Sequence, residues 1–329
     1  MKKLINSPER YVDESLDGLC LAFDGYARAG STGRVVARAT GLTKGKVGVV
    51  TGGGFGHLPV FAGYVGEGML DACAVGNVFA GPPVNVCADA IRAADGGAGV
   101  LCVLGNYGGD KMSFAQACED IEDDGGTTAT VIVADDVASA PPGERNKRRG
   151  VAGMIFAFKT AGASAAQGRS LGDVAAIASR TAERTRSIGV ALSPCLIPGA
   201  TAPGFTVDDG TIEIGMGIHG EPGIERRALP SADDVASAMV EQLLRDSPPP
   251  RRAAVLLNSL GATPLEELLI IYRKTRELLA AANVSIAARY VGHYATSMEM
   301  AGCSLSLLDL DDELQGLLEA PTGCPFWPR

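Results

Sequence analysis

The sequence predicts an α/β protein built as two α/β domains with mainly parallel or mixed sheets. Three observations carry this. The chain has 329 residues, beyond the usual reach of a single hydrophobic core. Short apolar runs bounded by glycine alternate with stretches of helical periodicity, the pattern of buried strands joined by crossover helices. Hydrophobic residues make up 46% of the chain and charged ones 20%, so there is ample apolar surface to fill such cores and no signature of disorder.

Taken in order, Ser7-Pro8-Glu9 reads as a helix start, with Ser7 as cap and Pro8 at the first helical position. Val12, Leu16, Leu19 and Phe23 then recur at helical spacing. Val47 to Val50, Ala72 to Val75, Gly99 to Leu104 and Ala129 to Val133 read as buried strands, with helical stretches such as Phe114 to Ile121 between them. An alanine-rich helical region runs from Ala161 to about Ser187, and "SIGVALSPCLIPG" follows as a strand leaving a helix. The domain boundary is therefore placed near 186, with an N-terminal α/β domain over 1–185 and a second over 186–329. In the second, Thr211 to Ile218 is β-like, Ser231 to Leu244 is helical, and the prolines of "RDSPPPRR" favour a stiff exposed loop. "AVLLNSLGATPLEELLIIYRKTRELL" then supplies a strand, a turn and a helix, with Thr263, Pro264 and Glu266 as cap, first position and capping-box glutamate.

The net charge of -9 argues against nucleic acid as a partner, because phosphate neutralisation needs a basic stripe that the chain lacks. A small neutral ligand suits it better. The eight cysteines are scattered through apolar runs and none are spaced CxxC, the usage of reduced, buried thiols in a cytoplasmic protein. No apolar stretch follows the charged Met-Lys-Lys start and no long apolar run occurs elsewhere, so the chain is expected to be neither secreted nor membrane-spanning.

Glycine is the compositional outlier, 43 of 329 residues, about 13% against a usual level of about 7%. It concentrates in "VVTGGGFGHLP", residues 49–59, where two valines run into Gly52, Gly53 and Gly54 and then reach His57, one of three histidines. The dinucleotide fingerprint fails here because its third glycine would fall on His57, and a P-loop fails because no Gly-Lys-Ser/Thr tripeptide occurs. Two readings stay open. In one, a strand ending at Val50 feeds a turn that lets a ligand lie against backbone N–H groups, with a helix starting near Pro59, at the carboxyl end of a sheet strand where open α/β sheets bind ligands. In the other, the glycines make a tight turn and His57 simply packs.

"IGMGIHGEPGIERR", residues 214–227, again sets a histidine, His219, among glycines after a β-like run, and "VLGNYGGD", residues 103–110, ends another buried strand with Gly105 and Asp110. Two histidines and an aspartate on strand-end loops form an acid–base constellation. The same residue types also hold zinc or iron, but nothing in their spacing favours a metal.

"MKKLIN", "GGGFGHLP", "NYGGD", "RRGVAG", "GMGIHGEPGIERR" and "LNSLGATPLEEL" occur in this order from residue 1 to beyond the middle of the second domain. In them the chain resembles the ketose-binding K subunit of dihydroxyacetone kinase. The resemblance implies that fold, two α/β domains assembled as a homodimer, and a covalent mode of binding. The histidine matching His219 attacks the ketone carbonyl through a ring nitrogen and holds the sugar as a hemiaminal, which selects short ketoses over polyols. The residues matching His57 and Asp110 bond the hydroxyl to be phosphorylated and share removal of its proton. The turn at Gly53, Gly54, Phe55 and Gly56 brings backbone N–H groups near the sugar oxygens, and Gly105 lines the same site. No cofactor is implied on this chain; ATP or ADP with Mg²⁺ is expected on an L-type partner subunit, recharged by a phosphotransferase-system protein or by ATP exchange.

Some positions depart from the dihydroxyacetone pattern. Phe55 stands where the family usually has serine, Leu58 where it has glutamate, Gly105 where it commonly has a substrate-holding lysine, and "GNVFAGPP" replaces a more polar segment. Loss of the lysine removes a charged donor and opens space, so a ketotetrose such as erythrulose is expected at least as strongly as dihydroxyacetone. His293 reads as a surface or interface histidine. The alternatives are a ketose-binding sensor without phosphotransfer, which would need the anchor but not the base, and a zinc-dependent lyase or aldolase, which would need stoichiometric metal.

Overall fold

The computed structural model describes residues 2–328, so Met1 of the opening motif and Arg329 at the end of the expected second domain lie outside the described residues. The chain forms two compact units, and their division is not one cut near 186. The first unit takes the residues up to Val133, then Ile155–Thr181, then those from Gly316 onward; the second takes Ala134–Met154 and Ala182–Gln315. Packing within the first unit explains its discontinuity. The Phe158 ring lies 6.5 Å from that of Tyr64, any side chain at Gly162 would overlap the Met69 backbone, and Cys324 Sγ bonds Gly63 O at 3.2 Å.

The first half of the chain contains α1 (Tyr11–Ala22), β1 (Tyr26–Ala29), β2 (Val35–Arg38), β3 (Gly48–Gly54), β4 (Ala72–Gly76), α2 (Val84–Ala94), β5 (Val100–Gly105), α3 (Gly108–Asp123) and β6 (Thr128–Val133). The sheet order is β1-β2-β4-β3-β5-β6. β4, β3, β5 and β6 run parallel, while β2 joins β1 and β4 antiparallel. One face of the sheet packs Val50, Ala74, Cys102 and Leu104 against Ile91 of α2 and Phe114 and Ile121 of α3, each large side chain contributing roughly 1.5–3 kcal/mol by burial.

Local expectations shift at three places in this unit. α1 begins at Tyr11, because Ser7 Oγ accepts from Arg10 N and so caps a preceding turn instead of the helix. No α-helix follows Pro59: Phe55–His57 and Ala62–Tyr64 are single 3-10 turns, and residues 59–66 are buried throughout, leaving no polar face for a surface helix. The alanine-rich stretch is two helices, α4 (Met154–Ala166) and α5 (Leu171–Arg184), divided where Gly168 takes φ +74°.

α4 also buries a lysine completely. Lys159 Nζ donates to Leu317 O at 2.9 Å, and burial pushes its ammonium down to about 8. The folded chain thus releases this proton near pH 8, whereas the unfolded chain holds it to the ordinary 10.5. Unfolded chains bind more protons between those values, so the stability cost is full below about pH 8 and is relieved as pH rises. Lys159→Met is expected to stabilise the protein at pH 7 by roughly 1–2 kcal/mol and to flatten the slope of stability between pH 8 and 10, as read by urea unfolding. Loss of stability, or an unchanged slope, would contradict the burial argument.

The rest of the chain forms β7 (Thr185–Ser193), β8 (Thr211–Ile214), β9 (Glu225–Ala228), α6 (Ala232–Asp246), β10 (Arg252–Ser259), α7 (Leu265–Ala281), β11 (Ser285–Gly292), β12 (Ala301–Asp309) and α8 (Asp312–Glu319). The second sheet is mixed, in the order β11-β10-β12-β7-β8-β9, with only the β10–β11 pair parallel. Ile188, Val190, Val255, Leu257 and Leu305 pack there against Met239 and Val240 of α6 and Leu268 of α7. The helix expected from about Ser231 starts at Ala232, with Ser231 as its cap accepting from Asp234 N at 3.2 Å. α7 starts one residue later than expected, with Pro264 as its cap residue, because the Thr263 hydroxyl accepts from Gly302 N at 2.8 Å. Among the described residues no helix is long and apolar enough to cross a membrane.

Candidate functional site

In the first unit the site residues gather at the carboxyl ends of β3 and β5. β3 runs on to Gly54, four residues past the expected end, and Gly53 and Gly54 pair in register with Val75 and Gly76 of β4. The absence of side chains here serves the protein's own packing. A Cβ at Gly53 would overlap the Phe61 ring, and one at Gly56 would lie 2.6 Å from Phe79 Cε1. The N–H groups of Phe55 and Gly56 donate to Asn77 O at 3.1 Å and Val78 O at 2.7 Å. Those two donors are spent inside the protein, so of the turn expected to face sugar oxygens, the N–H groups of Phe55 and Gly56 are engaged with segment 77–78.

His57 is fully buried. Phe79 stacks on its ring at 4.9 Å and 27°, and Phe61 meets it edge-on at 6.2 Å and 81°. Asp110 lies in the first turn of α3. Its carboxylate is pressed against Gly81, where any Cβ would overlap Oδ1. Segment 77–81 therefore fastens both predicted proton-handling groups, through Phe79 for His57 and through Gly81 for Asp110. Gly105 ends β5, its carbonyl accepting from Tyr107 N at 2.9 Å, and Lys111 Nζ of α3 donates to Asn106 Oδ1 on the following loop at 2.7 Å.

His219 belongs to the second unit, in the loop between β8 and β9. Its Nδ1 lies 3.1 Å from Glu221 Oε1, and its backbone N donates to Glu221 Oε2 at 3.0 Å. Burial pushes Glu221 up, but the hydrogen bond and charge of His219, together with backbone N–H groups, outweigh it and hold the carboxyl down at about 2. A carboxylate on Nδ1 fixes that nitrogen as the one carrying hydrogen and leaves the neutral-ring lone pair on Nε2. The His219 side chain keeps 24% of its surface exposed.

The surrounding loop is built to hold this pair. Glu221 folds over Gly217, where any side chain would overlap its Oε2. Arg149 Nη2 donates to Gly215 O at 2.8 Å while Nε donates to Asp136 at 2.8 Å. Ser297 Oγ donates to Ile218 O, the carbonyl just before His219. Ser297 in turn sits on a loop organised by Asn258, whose Oδ1 accepts from Tyr294 N and Ala295 N at 2.8 and 2.9 Å. The "RRGVAG" and "LNSLGATPLEEL" motifs thus contribute through Arg149 and Asn258. Sequence reasoning assigned no role to Glu221, although its position two residues after a loop histidine is a local signal; Phe79 lies in the "GNVFAGPP" segment that departs from the family pattern, and Ser297 carries no local signal.

His293 is exposed, and its Nε2 donates to Gly261 O at 3.1 Å. Among the described residues no group of three or more His, Cys, Asp or Glu is placed to hold a metal ion.

Residues 17–326 match the model of the Dak1 domain. D-erythrulose kinase of Mycolicibacterium smegmatis is 42% identical over 331 residues, covering 100% of this chain and 57% of that protein. The dihydroxyacetone-binding subunit DhaK of the PTS-dependent dihydroxyacetone kinase 1 of Listeria innocua is 40% identical, with 99% of this chain and 100% of that one covered. The crystal structure of the dihydroxyacetone kinase of C. freundii superposes with a TM-score of 0.91 at 34% identity, over 99% of this chain and 60% of that one. This chain thus spans little more than half the length of the erythrulose kinase and the whole of the DhaK subunit.

Proposed function

Because the chain belongs to the Dak1 domain family, we propose that it binds a short ketose covalently and presents one of its hydroxyls for phosphorylation. The observation that carries this reading is the His219–Glu221 pair. Nε2 attacks the ketone carbon, a C–N bond forms and the C=O π bond opens; the proton that leaves Nδ1 passes by way of Glu221 and solvent to the new alkoxide oxygen, so Glu221 ends ionised and the hemiaminal is neutral. Neither an alcohol nor a polyol can react in this way. His57 and Asp110 serve the hydroxyl that is phosphorylated, accepting its proton, with Gly53, Gly54, Phe55, Gly56 and Gly105 lining the sugar.

The phosphoryl group comes from ATP with Mg²⁺ held outside these residues, on an L-type partner subunit or a further domain, where the ADP left behind is either rephosphorylated in place by a phosphotransferase-system protein or exchanged for ATP. The sequence contains no P-loop tripeptide, and the Listeria relative is named as the dihydroxyacetone-binding subunit of a kinase. The protein acts in this reading as a cytoplasmic homodimer. Gly105, which offers no side chain where the resemblance places a lysine, favours erythrulose at least equally with dihydroxyacetone, as does the similarity to an erythrulose kinase.

Native intact-mass spectrometry with dihydroxyacetone and both erythrulose enantiomers tests the reading. One ketose is expected to add its full mass, and His57→Ala and Asp110→Ala are expected to keep that adduct while losing about 10²–10⁴-fold in phosphorylation when the nucleotide-binding partner is supplied. No adduct with any ketose would sink the covalent mechanism. An adduct with full turnover in both variants would remove their assignment, and an adduct that no partner phosphorylates would identify a ketose-binding regulator.

A further inference from the structure

β5 and α3 carry two cysteines that the proposed function does not use. Cys102 lies three residues before Gly105 and Cys118 eight after Asp110. Their sulfur atoms are 3.8 Å apart. All eight cysteines are free thiols, and these two are held next to each other in the same core cluster. Cys102 is completely buried, whereas Cys118 retains 8% exposure. The opening lies at the sheet edge: Cys102 pairs in register with Thr130 of the edge strand β6, and Thr130 is itself exposed.

The two thiols are electrostatically unlike. The hydrogen bond from Cys102 outweighs burial and, with those from the Thr128 and Thr130 hydroxyls, holds the Cys118 thiol down at about 6. Donating that hydrogen bond, together with burial, pushes Cys102 up. The shift directs thiolate character toward Cys118, the sulfur with residual exposure, and thiolate character with access is what peroxide chemistry requires.

We propose that Cys102 and Cys118 form a reversible intramolecular disulfide when the protein meets a hydroperoxide. The Cys118 thiolate takes one oxygen from the peroxide, becoming a sulfenic acid and releasing hydroxide. The Cys102 sulfur then attacks the Cys118 sulfur, the S–S bond forms, and the sulfenic hydroxyl leaves as water with the Cys102 proton. Two thiols and one hydrogen peroxide thus give one disulfide and two waters, and a dithiol reductant reverses the product by exchange. The sulfurs must close by about 1.8 Å to reach a disulfide length of about 2.05 Å. That movement falls on α3, whose first turn holds Asp110, and on β5, which ends at Gly105. Lower ketose phosphorylation in the oxidised protein follows; this consequence rests on the proposed function, whereas the disulfide does not.

The full chain is treated with hydrogen peroxide, unfolded, alkylated and analysed by intact mass and peptide mapping. Expected are a loss of two hydrogens, six alkylated cysteines in place of the eight of the sequence, a single linked pair joining Cys102 to Cys118, and recovery with dithiothreitol. Cys102→Ser is expected to stop at the sulfenic acid, trapped on Cys118 by dimedone, and Cys118→Ser to leave no linked pair. Near-isosteric serine keeps both variants folded, which circular dichroism verifies. Eight alkylatable thiols after treatment, or a linkage running through Cys87 or another cysteine, would overturn the proposal. A Cys102–Cys118 disulfide with unchanged ketose phosphorylation would remove only the consequence for Asp110.

Discussion

Alanine in place of His219 is expected to remove the ketose adduct altogether and to lower phosphorylation by about 10³-fold or more, because the covalent anchor is what holds the reacting hydroxyl in place. The His219 side chain lies on a loop and is partly exposed, so its loss leaves the cores intact and the thermal transition should stay within a few degrees of the wild type. Glu221→Gln separates charge from shape. The amide still accepts a hydrogen bond from Nδ1–H but no longer takes its proton, and adduct formation is expected to slow by about 10²-fold. The folded protein holds Glu221 down at about 2, against an ordinary 4.5. Its contribution to stability is therefore complete above about pH 4.5 and lost only as pH falls toward 2, so it stays ionised throughout the neutral range in which adducts are measured. Native mass spectra of the two variants beside the wild type read both effects. Equal ketose addition by His219→Ala would place the covalent chemistry elsewhere.

The second large effect is on stability. Asp246→Ala is expected to destabilise the protein by about 3–5 kcal/mol and to lower its melting temperature by on the order of 10 °C. Asp246 is the shared anion of a buried group in the second unit. Arg148 reaches it with two nitrogens, at 2.5 and 3.0 Å, and Arg186 Nε at 2.8 Å. Arg148 has no exposed surface and the Arg186 side chain only 9%, so removing the carboxylate strands positive charge where water does not solvate it. The cost comes from the charges left behind, because the bond from Arg148 Nε to Ala140 O at 2.8 Å goes to a neutral acceptor. Chemical unfolding by circular dichroism measures the loss. A change below about 1 kcal/mol would mean that solvent reaches the guanidinium groups, in the manner of surface ion pairs.

Much of this protein is written locally. The apolar runs at Val47 to Val50, Gly99 to Leu104 and Ala129 to Val133 became β3, β5 and β6, and Ser231 marked the start of α6. The strands were legible because burial on both faces demands continuous apolar residues. The glycine-rich loops around His57, Asp110 and His219 were legible for the same reason, since each of these residues follows its strand within a few positions. What the tertiary structure alone decided are relations between residues far apart in the chain. Gly53 and Gly56 lack side chains because Phe61 and Phe79 fill the space, and Ser297 supports His219 across 79 positions of sequence, through Ile218. Residues 155–181 joined the first unit because Phe158 and Gly162 pack with Tyr64 and Met69. Periodicity, capping and turn chemistry act over a few residues and leave a mark that a window of sequence contains. Close packing and the pairing of buried polar groups have no fixed spacing, and only the folded chain brings their partners together.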